Sequence, residues 1–248
     1  MFAKQNVVIT GAGRGIGRAL ALAFATHGAQ VLVHYGAART EAEEVVQQIK
    51  ASGGQAFAFQ ANLERQEEVL RLVEAAKESF ESVDVWINNA GASANSTEAE
   101  GLSELARFER MLAVDVLAVW LCCRGIAEYM NEGGCILNLG WNHALNGAPG
   151  LVSELYATSK GAVISLTRSL ARTYAPRFRV NCIAPGWIEN EWALGRSETF
   201  RQKVAQSIPM ARWGTSSDIV NMALFLASPN ASFITGQILV VDGGEVML

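Results

Sequence analysis

Tyr156 and Lys160 stand one helical turn apart in an amphipathic stretch that runs from Leu151 to Tyr174. At that spacing their side chains emerge on one face. A phenol ordinarily ionises near ~10 and is a poor acid or base at neutral pH. An ammonium beside it stabilises the phenolate and lowers that value, so proton exchange with a substrate oxygen becomes practicable. Such pairs are common on protein surfaces, so the meaning of this one depends on its surroundings.

A glycine run, Thr10-Gly11-Ala12-Gly13-Arg14-Gly15-Ile16-Gly17, lies directly behind the apolar residues Val7, Val8 and Ile9 and directly ahead of a helical pattern. A strand, a turn without side chains and a helix start together build a phosphate site. Backbone N–H groups and the positive helix end point at the anion, and a Cβ in the turn would block its approach. The spacing reads T-G-x-x-x-G-x-G, so position along the chain carries more weight than the pattern itself.

The elements that must hold these groups alternate throughout. Apolar, β-branched runs fall at residues 7–9, 31–33, 56–59, 83–87, 135–139, 180–183 and 238–241. Amphipathic stretches at 15–27, 40–51, 66–80, 102–130, 151–174 and 216–226 separate them. Strands apolar on both faces, divided by helices, predict a parallel sheet covered on two sides. Glycine and proline punctuate the joints, and no linker or repeat interrupts the order. The chain therefore reads as α/β, a single doubly wound domain over residues 1–248, with seven parallel strands flanked by helices on both faces. Ligand is expected beyond the carboxyl ends of the strands. The stretch from Trp187 to Pro209 contains no clear strand and reads as a lid over that edge or as an ordinary surface loop.

Composition narrows the function classes. Of 248 residues, 50% are hydrophobic and 18% charged, so a sizeable core is available. A net charge of −4, with basic residues scattered, argues against nucleic acid or an anionic membrane as a partner. Cys122, Cys123, Cys135 and Cys182 show no metal-ligand spacing, and buried thiols in a reducing cytoplasm account for them. No metal site is expected. The residues from Met1 to Asn6 run straight into a strand and leave no room for a signal peptide, and the apolar stretch around Met111–Cys123 is too short to span a bilayer.

These motifs, with Asn88-Asn89-Ala90-Gly91, Tyr156-Ala157-Thr158-Ser159-Lys160, Asn181 to Pro185-Gly186-Trp187-Ile188, and Ile234-Thr235-Gly236-Gln237 through Asp242-Gly243-Gly244, follow one another in the order of the short-chain dehydrogenase/reductase family. The chain resembles that family over essentially its full length. The resemblance implies a Rossmann-type fold, a bound nicotinamide dinucleotide and hydride transfer between it and a carbonyl or alcohol carbon. Tyr156 would be the acid in reduction, and Lys160 would hold the nicotinamide ribose and lower the tyrosine pKa. Gly11, Arg14, Gly15, Ile16, Gly17, Asn89, Ala90 and Gly91 would line the dinucleotide, with Pro185, Gly186 and Ile188 beside the nicotinamide. Asn62, followed by Leu63, occupies the place of the family's adenine-binding Asp. By the same likeness the chain is a dimer or tetramer, with the helices of residues 102–130 and 151–174 pairing; Trp120, Leu121 and the apolar tail Val246-Met247-Leu248 add apolar surface.

An acidic residue at the end of the second strand would bind a free ribose 2′-OH. Tyr35 stands there instead, with no carboxylate to repel a 2′-phosphate, and Arg14 and Arg39 could bond one. NADP(H) is therefore expected in preference to NAD(H).

Two departures from the family bear on activity. Where its catalytic serine ends the fifth strand, Asn138-Leu139-Gly140 leads to Trp141; counting back from Tyr156, the position falls on His143. Where its fourth helix carries an asparagine, Asp115 stands. Losing a preorganised donor to a developing oxyanion typically costs about 10²–10³ in rate. Asn142 ranks first as a replacement donor, Ser153 second and His143 third, and the Trp141 indole N–H is a donor as well. Trp141, Trp187, Trp192 and Phe200 would line the ligand-facing edge and favour an apolar or planar substrate, or would pack the lid onto the sheet. Arg177 matches one of the basic residues with which the family's acyl-carrier-protein reductases hold their carrier, and no second one is present. Two readings follow: an NADPH-dependent carbonyl reductase of small molecules, or an NADP-binding protein that has lost efficient chemistry and serves as a sensor, scaffold or oligomer partner.

Overall fold

The run Val7-Val8-Ile9 is apolar at every position because strand β1 (Asn6–Ile9) has parallel neighbours on both sides and helices over both faces. A computed structural model describes residues 2–93 and 99–247; Met1 and Leu248, at the two ends of the chain, lie outside the described residues. The sheet runs β3-β2-β1-β4-β5-β6-β7, all parallel, with β2 at Gln30–Tyr35, β3 at Gln55–Gln60, β4 at Val83–Asn88, β5 at Met130–Leu139, β6 at Arg179–Pro185 and β7 at Ile238–Val241. This is the doubly wound fold expected from the alternation of apolar runs and amphipathic stretches.

Alternation along each strand divides the core between two layers. Val7 and Ile9 face α1 (Gly15–Thr26), α2 (Arg39–Ala51) and α9 (Ser216–Ala227); Val8, Leu32, Trp86 and Ile136 face α3 (Gln66–Ser79), α5 (Ala118–Ile126) and α6 (Leu151–Tyr174). Strand order reverses between β1 and β4, and a crevice opens there beyond their carboxyl ends. The turns after these two strands touch closely: a Cβ on Gly11, where φ is +63°, would stand 2.9 Å from Ala90 Cα. Thr10 Oγ1 accepts from the N–H groups of Asn89 and Ala90, and the Asn89 amide donates to the carbonyls of Thr10 and Gly11.

One expected element differs. The stretch 102–130 is not one helix: α4 (Glu104–Met111) passes through a π-helical turn, Leu112–Leu117, into α5, and β5 already starts at Met130. A π turn leaves its ladder irregular and re-aims side chains, and such turns are frequent at functional sites. Here the turn carries Asp115, fully buried, toward the crevice. The segment after β6 folds into two short helices, α7 (Glu191–Leu194) and α8 (Glu198–Ser207), over a small separate cluster of Ala193, Val204, Ile208 and Trp213. Among the described residues no helix is long and apolar enough to cross a membrane.

Candidate active site

Helix α6 is amphipathic over its whole length, and its inward face buries Ser159, Lys160, Val163 and Thr167 against β5 and β6. The spacing of Tyr156 and Lys160 thereby brings both to one cleft of about 250 Å³ at the ends of β4, β5 and β6. Ile16, Asn89, Gly91, Trp141, Pro185, Gly186, Trp187, Ile188 and Trp192 share its walls. A second pocket of about 620 Å³ continues from Asn89 and Gly91 toward β2 and β3, past Gly11, Ala90, Asn62 and Leu63. Together they form one elongated groove, bent around the turn that follows β4.

Lys160 Nζ lies 3.8 Å from Asp115 Oδ2 and 5.4 Å from the centroid of the Tyr156 ring. Asp115 is bonded on both oxygens: Oδ1 accepts from the Ala92 N–H at 2.8 Å and Oδ2 from the Ser159 hydroxyl at 3.0 Å. Gly91 makes room for them, since a Cβ there would meet Asp115 Oδ1 at 3.2 Å and Lys160 Nζ at 3.5 Å. Burial works against the lysine charge, but Asp115, Tyr156 and Cys182 outweigh it, and the ammonium is held above the ordinary lysine value. The tyrosine corrects an expectation. Burial raises its pKa above the usual phenol value, Lys160 pulls it down, and the Asp115 charge pushes it up again. The ammonium thus opposes a rise instead of producing a net fall, because burial of the phenol outweighs its field and the Asp115 carboxylate offsets part of it.

Trp141 lines the cleft and sets its indole edge-on to the Tyr156 ring, with centroids 5.1 Å apart. It narrows the space without filling it. None of the three ranked substitute donors faces this space. The Asn142 amide is fully buried and donates to Asp242 Oδ2 at 3.1 Å and to Glu245 Oε2 at 2.9 Å, so both of its hydrogens are spent on the carboxyl-terminal segment. His143 turns the same way, with Nε2 3.1 Å from Glu245 Oε1. Ser153 sits in the first turn of α6, outside the cleft walls. Assignment of Asn142 as an oxyanion donor is therefore corrected. The cause is local: the chain after Trp141 makes a short 3₁₀ turn, Asn142–Ala144, whose polar groups point toward the chain end.

The sequence left two alternatives for the aromatic residues after β6, and Phe200 takes the packing one without lining the cleft. Trp187, Trp192 and Phe200 pack with Trp213, while Trp187, Trp192 and Trp213 also form a wall of the cleft. Sequence reading missed Trp213. The signal for it was the Thr215–Asp218 capping box just downstream, which fixes a helix start beside the lid.

At the glycine turn, Arg14 precedes α1 without capping it through its side chain, and the first turn of the helix holds no acidic residue. Its N–H groups are therefore left for an anion, and open space adjoins Gly15, where φ is +51°. Gly17 must lack a side chain, since a Cβ there would lie 2.1 Å from the Gly11 carbonyl oxygen and 2.5 Å from Asn89 Nδ2. An uncapped helix end between two joined pockets fits a molecule with a diphosphate at its middle, so these residues could hold a dinucleotide.

Tyr35 is corrected as a ribose contact: its side chain is buried in the core with Val31 and Val33. Its neighbour His34 lines the second pocket instead, because alternate strand residues face opposite layers. The Gly11 N–H donates to His34 Nδ1 at 3.0 Å, so Nε2 carries the proton and donates to the Ala61 carbonyl at 3.0 Å. Burial lowers its pKa to about 4, which keeps the ring neutral. Sequence reading missed this role; a histidine in an otherwise apolar strand, just before the expected ribose position, was its mark. Arg14 is engaged by Glu41, with Nε at 2.8 Å and Nη2 also bonded to Oε1. Arg39 is 64% exposed and lies 4.0 Å from Glu43. Neither arginine lines the pockets. All four cysteines are free and buried; burial pushes Cys182, beneath Lys160, up to about 12.

Residues 11–245 match the family model described as enoyl-(acyl carrier protein) reductase. A 3-oxoacyl-[acyl-carrier-protein] reductase, FabG, of Staphylococcus epidermidis is 35% identical over 247 residues, spanning 98% of this chain and 100% of its own. A blue fluorescent protein from a metagenomic library, solved in complex with NADPH, is similar with a TM-score of 0.90 and 31% identity, over 99% of this chain and 99% of its own. A short chain dehydrogenase from Burkholderia cenocepacia, solved in complex with NADP, is similar with a TM-score of 0.89 and 31% identity, over 98% of each chain.

Proposed function

The chain belongs to the short-chain dehydrogenase/reductase family, and from that premise we propose that it is an NADP(H)-dependent oxidoreductase acting on the carbonyl or alcohol carbon of a small, apolar or planar substrate. One observation carries the reading: Tyr156 and Lys160 share a cleft with Gly186 and Ile188, and that cleft runs on into the groove beside the uncapped helix α1.

In this reading Gly11, Gly15, Ile16, Gly17 and Asn89 hold the dinucleotide, and Asn62 and Leu63 border its adenine. Lys160 would bond the nicotinamide ribose, and Pro185, Gly186 and Ile188 would border the ring. The bound dinucleotide supplies a hydride to the carbonyl carbon in reduction and takes one back in oxidation. Tyr156 gives its phenolic proton to the carbonyl oxygen as that oxygen gains charge, or accepts it from an alcohol in the reverse direction. Lys160 limits the cost of the phenolate left behind, and Asp115 keeps Lys160 charged and fixed through Ser159 and the Ala92 N–H. Trp141, Trp187 and Trp192 give the substrate flat apolar surfaces. Among the described residues of the cleft walls Lys160 is the one charged side chain, which suits an uncharged substrate. A carrier-bound acyl group is less well served, since Arg177 is spent on the Ala127 carbonyl and lies 3.6 Å from Glu128.

This reading includes a homo-oligomer of cytoplasmic location. Exposed Leu117 and Trp120 leave apolar area beside α5, and the thiols are unpaired. The second reading, a nucleotide binder without efficient turnover, draws on Trp141 in the serine's place and on the raised phenol pKa. Single-turnover oxidation of NADPH with a panel of aryl and alicyclic ketones separates the two. The reductase reading expects turnover that Tyr156→Phe lowers by about 10³-fold, within the usual range for loss of a general acid. Silence across the panel with NADPH bound would favour the binder.

A further inference from the structure

One side chain ties together the two loops that border the substrate cleft, although it touches none of the space itself. Glu245 lies in the segment after β7, and its side chain is 12% exposed. Its Oε1 accepts from the Trp187 indole N–H at 2.9 Å and stands 3.1 Å from His143 Nε2; its Oε2 accepts from the Asn142 amide at 2.9 Å. A carboxylate offers acceptor sites only, and here three donors from two different loops converge on it. Trp187 follows β6, while Asn142 and His143 follow β5.

The surrounding packing makes the arrangement stiff. Asp242 accepts from the N–H groups of Gly244 and Val246 and from the Asn142 amide, so the segment carrying Glu245 is itself closed into a turn. A Cβ on Gly186 would meet Asp242 Cβ at 2.5 Å, which shows how closely that turn lies against the strand end bearing Trp187. From Glu245 two arms reach the cleft. One is direct, to the Trp187 indole, which stands 6.3 Å from Trp192 and 5.4 Å from Trp213. The other runs through the His143 ring to Trp141, 5.1 Å away, and from Trp141 to Tyr156.

We infer that Glu245 is a positioning residue that sets the gap between Trp141 and Trp187, and thereby the size of substrate the cleft accepts. This rests on the reductase reading for its kinetic consequence, though not for its structural one. Loss of the charge that gathers these donors loosens the Trp187 indole directly and Trp141 through the His143 ring, and flat, bulky substrates that need both walls lose most.

The test compares wild type, Glu245→Gln and Trp187→Phe. The phenylalanine variant removes the N–H donor and leaves the carboxylate in place. Each is assayed with NADPH against a bicyclic aryl ketone and against a small alicyclic ketone, with melting temperature as a check on folding. For Glu245→Gln the expected result is a fall of about tenfold in kcat/KM for the bicyclic ketone, carried by KM, with kcat and the NADPH dissociation constant within about twofold; Trp187→Phe, which also takes away part of a cleft wall, should lose at least as much. The double variant should lose less than the product of the two single losses, since the bond from Trp187 to Glu245 is broken in both. Equal losses for both ketones, or none, would overturn the inference. Should wild type reduce neither ketone, the reductase reading is what has failed. Acrylamide quenching of tryptophan fluorescence then decides the positioning role: Glu245→Gln must quench more readily than wild type, and identical quenching overturns it.

Discussion

Around the glycine turn the contacts are made by main chain and one short amide: Thr10 and Gly11 to Asn89, Gly11 to Ala90, helix α1 to open space. Around Tyr156 they are made by side chains: Lys160 to Asp115, Trp141 to Tyr156, Trp187 and Asn142 to Glu245. The first kind of site tolerates almost no substitution, because a Cβ at Gly11 or Gly17 collides with backbone. The second kind can be rebuilt residue by residue while the strands beneath it stay put, so two ends of one groove can carry very different records of change. His34 is where the first end also depends on a side chain, and it offers the largest expected effect.

His34 has a folded pKa of about 4 against an ordinary 6.5, because burial disfavours its charged form. Between those values the unfolded chain binds a proton that the folded chain refuses. Its contribution is therefore fully present above 6.5 and is lost as pH falls toward 4, on the order of 3 kcal/mol over the window. Protonation would also put an N–H opposite the Gly11 N–H. Urea unfolding of wild type and His34→Gln across pH 7 to 4.5 checks this, the variant being expected to lose stability less steeply. Parallel slopes would mean that the glycine turn stands without the histidine, and the contrast between the two ends would sharpen.

Asp115→Asn probes the other end and should change chemistry more than stability. Asparagine can still accept from the Ala92 N–H, but it carries no charge toward Lys160 or Tyr156. Since Asp115 raises the pKa of both, its removal moves both downward. Reduction needs a protonated phenol, so the alkaline limb of the kcat/KM profile should move to lower pH. Oxidation of an alcohol needs the phenolate, so its rising limb should move the same way, with a several-fold gain at neutral pH. A pH profile unchanged by the substitution would remove Asp115 from the electrostatics of the site and leave it as a peg for Ser159 and Ala92.

What could be read beforehand follows the same division. The seven strands and the glycine turn announce themselves because backbone demands leave local marks: two-sided apolar runs, glycines where no Cβ fits, an amide beside a turn. Tyr156 and Lys160 were legible because helical spacing guarantees a shared face. Side chains on the loops gave no such guarantee. Asn142 looked available from its position after Trp141, yet its fate was decided by Asp242 and Glu245, about a hundred residues away. Tyr35 looked like a ribose contact by counting, and the two-residue period of the strand put it on the core side instead. The π turn at Leu112–Leu117 left no mark in an amphipathic pattern that fits a continuous helix equally well.

Cofactor preference carries the smallest expected effect and is where the two kinds of site meet. Arg14 belongs to the glycine turn, but its guanidinium is held by Glu41, whose carboxyl is kept below its ordinary range by backbone hydrogen bonding in the first turn of α2 and by Arg14 itself. A ribose 2′-phosphate would have to share or displace that partner. If it does, Arg14→Ala should lower the ratio of NADPH to NADH affinity by about tenfold, in line with a charge-assisted bond lost. Glu41→Gln should raise the ratio, because a freed guanidinium meets the phosphate without a competing anion. Arg39→Ala should matter less, since its side chain stands mostly in solvent. Fluorescence titration with both dinucleotides reads all three. A larger effect at Arg39 would shift the phosphate toward α2, whereas no effect at either arginine would return the question to NAD(H) and take away the one property that links this groove to a reductive direction.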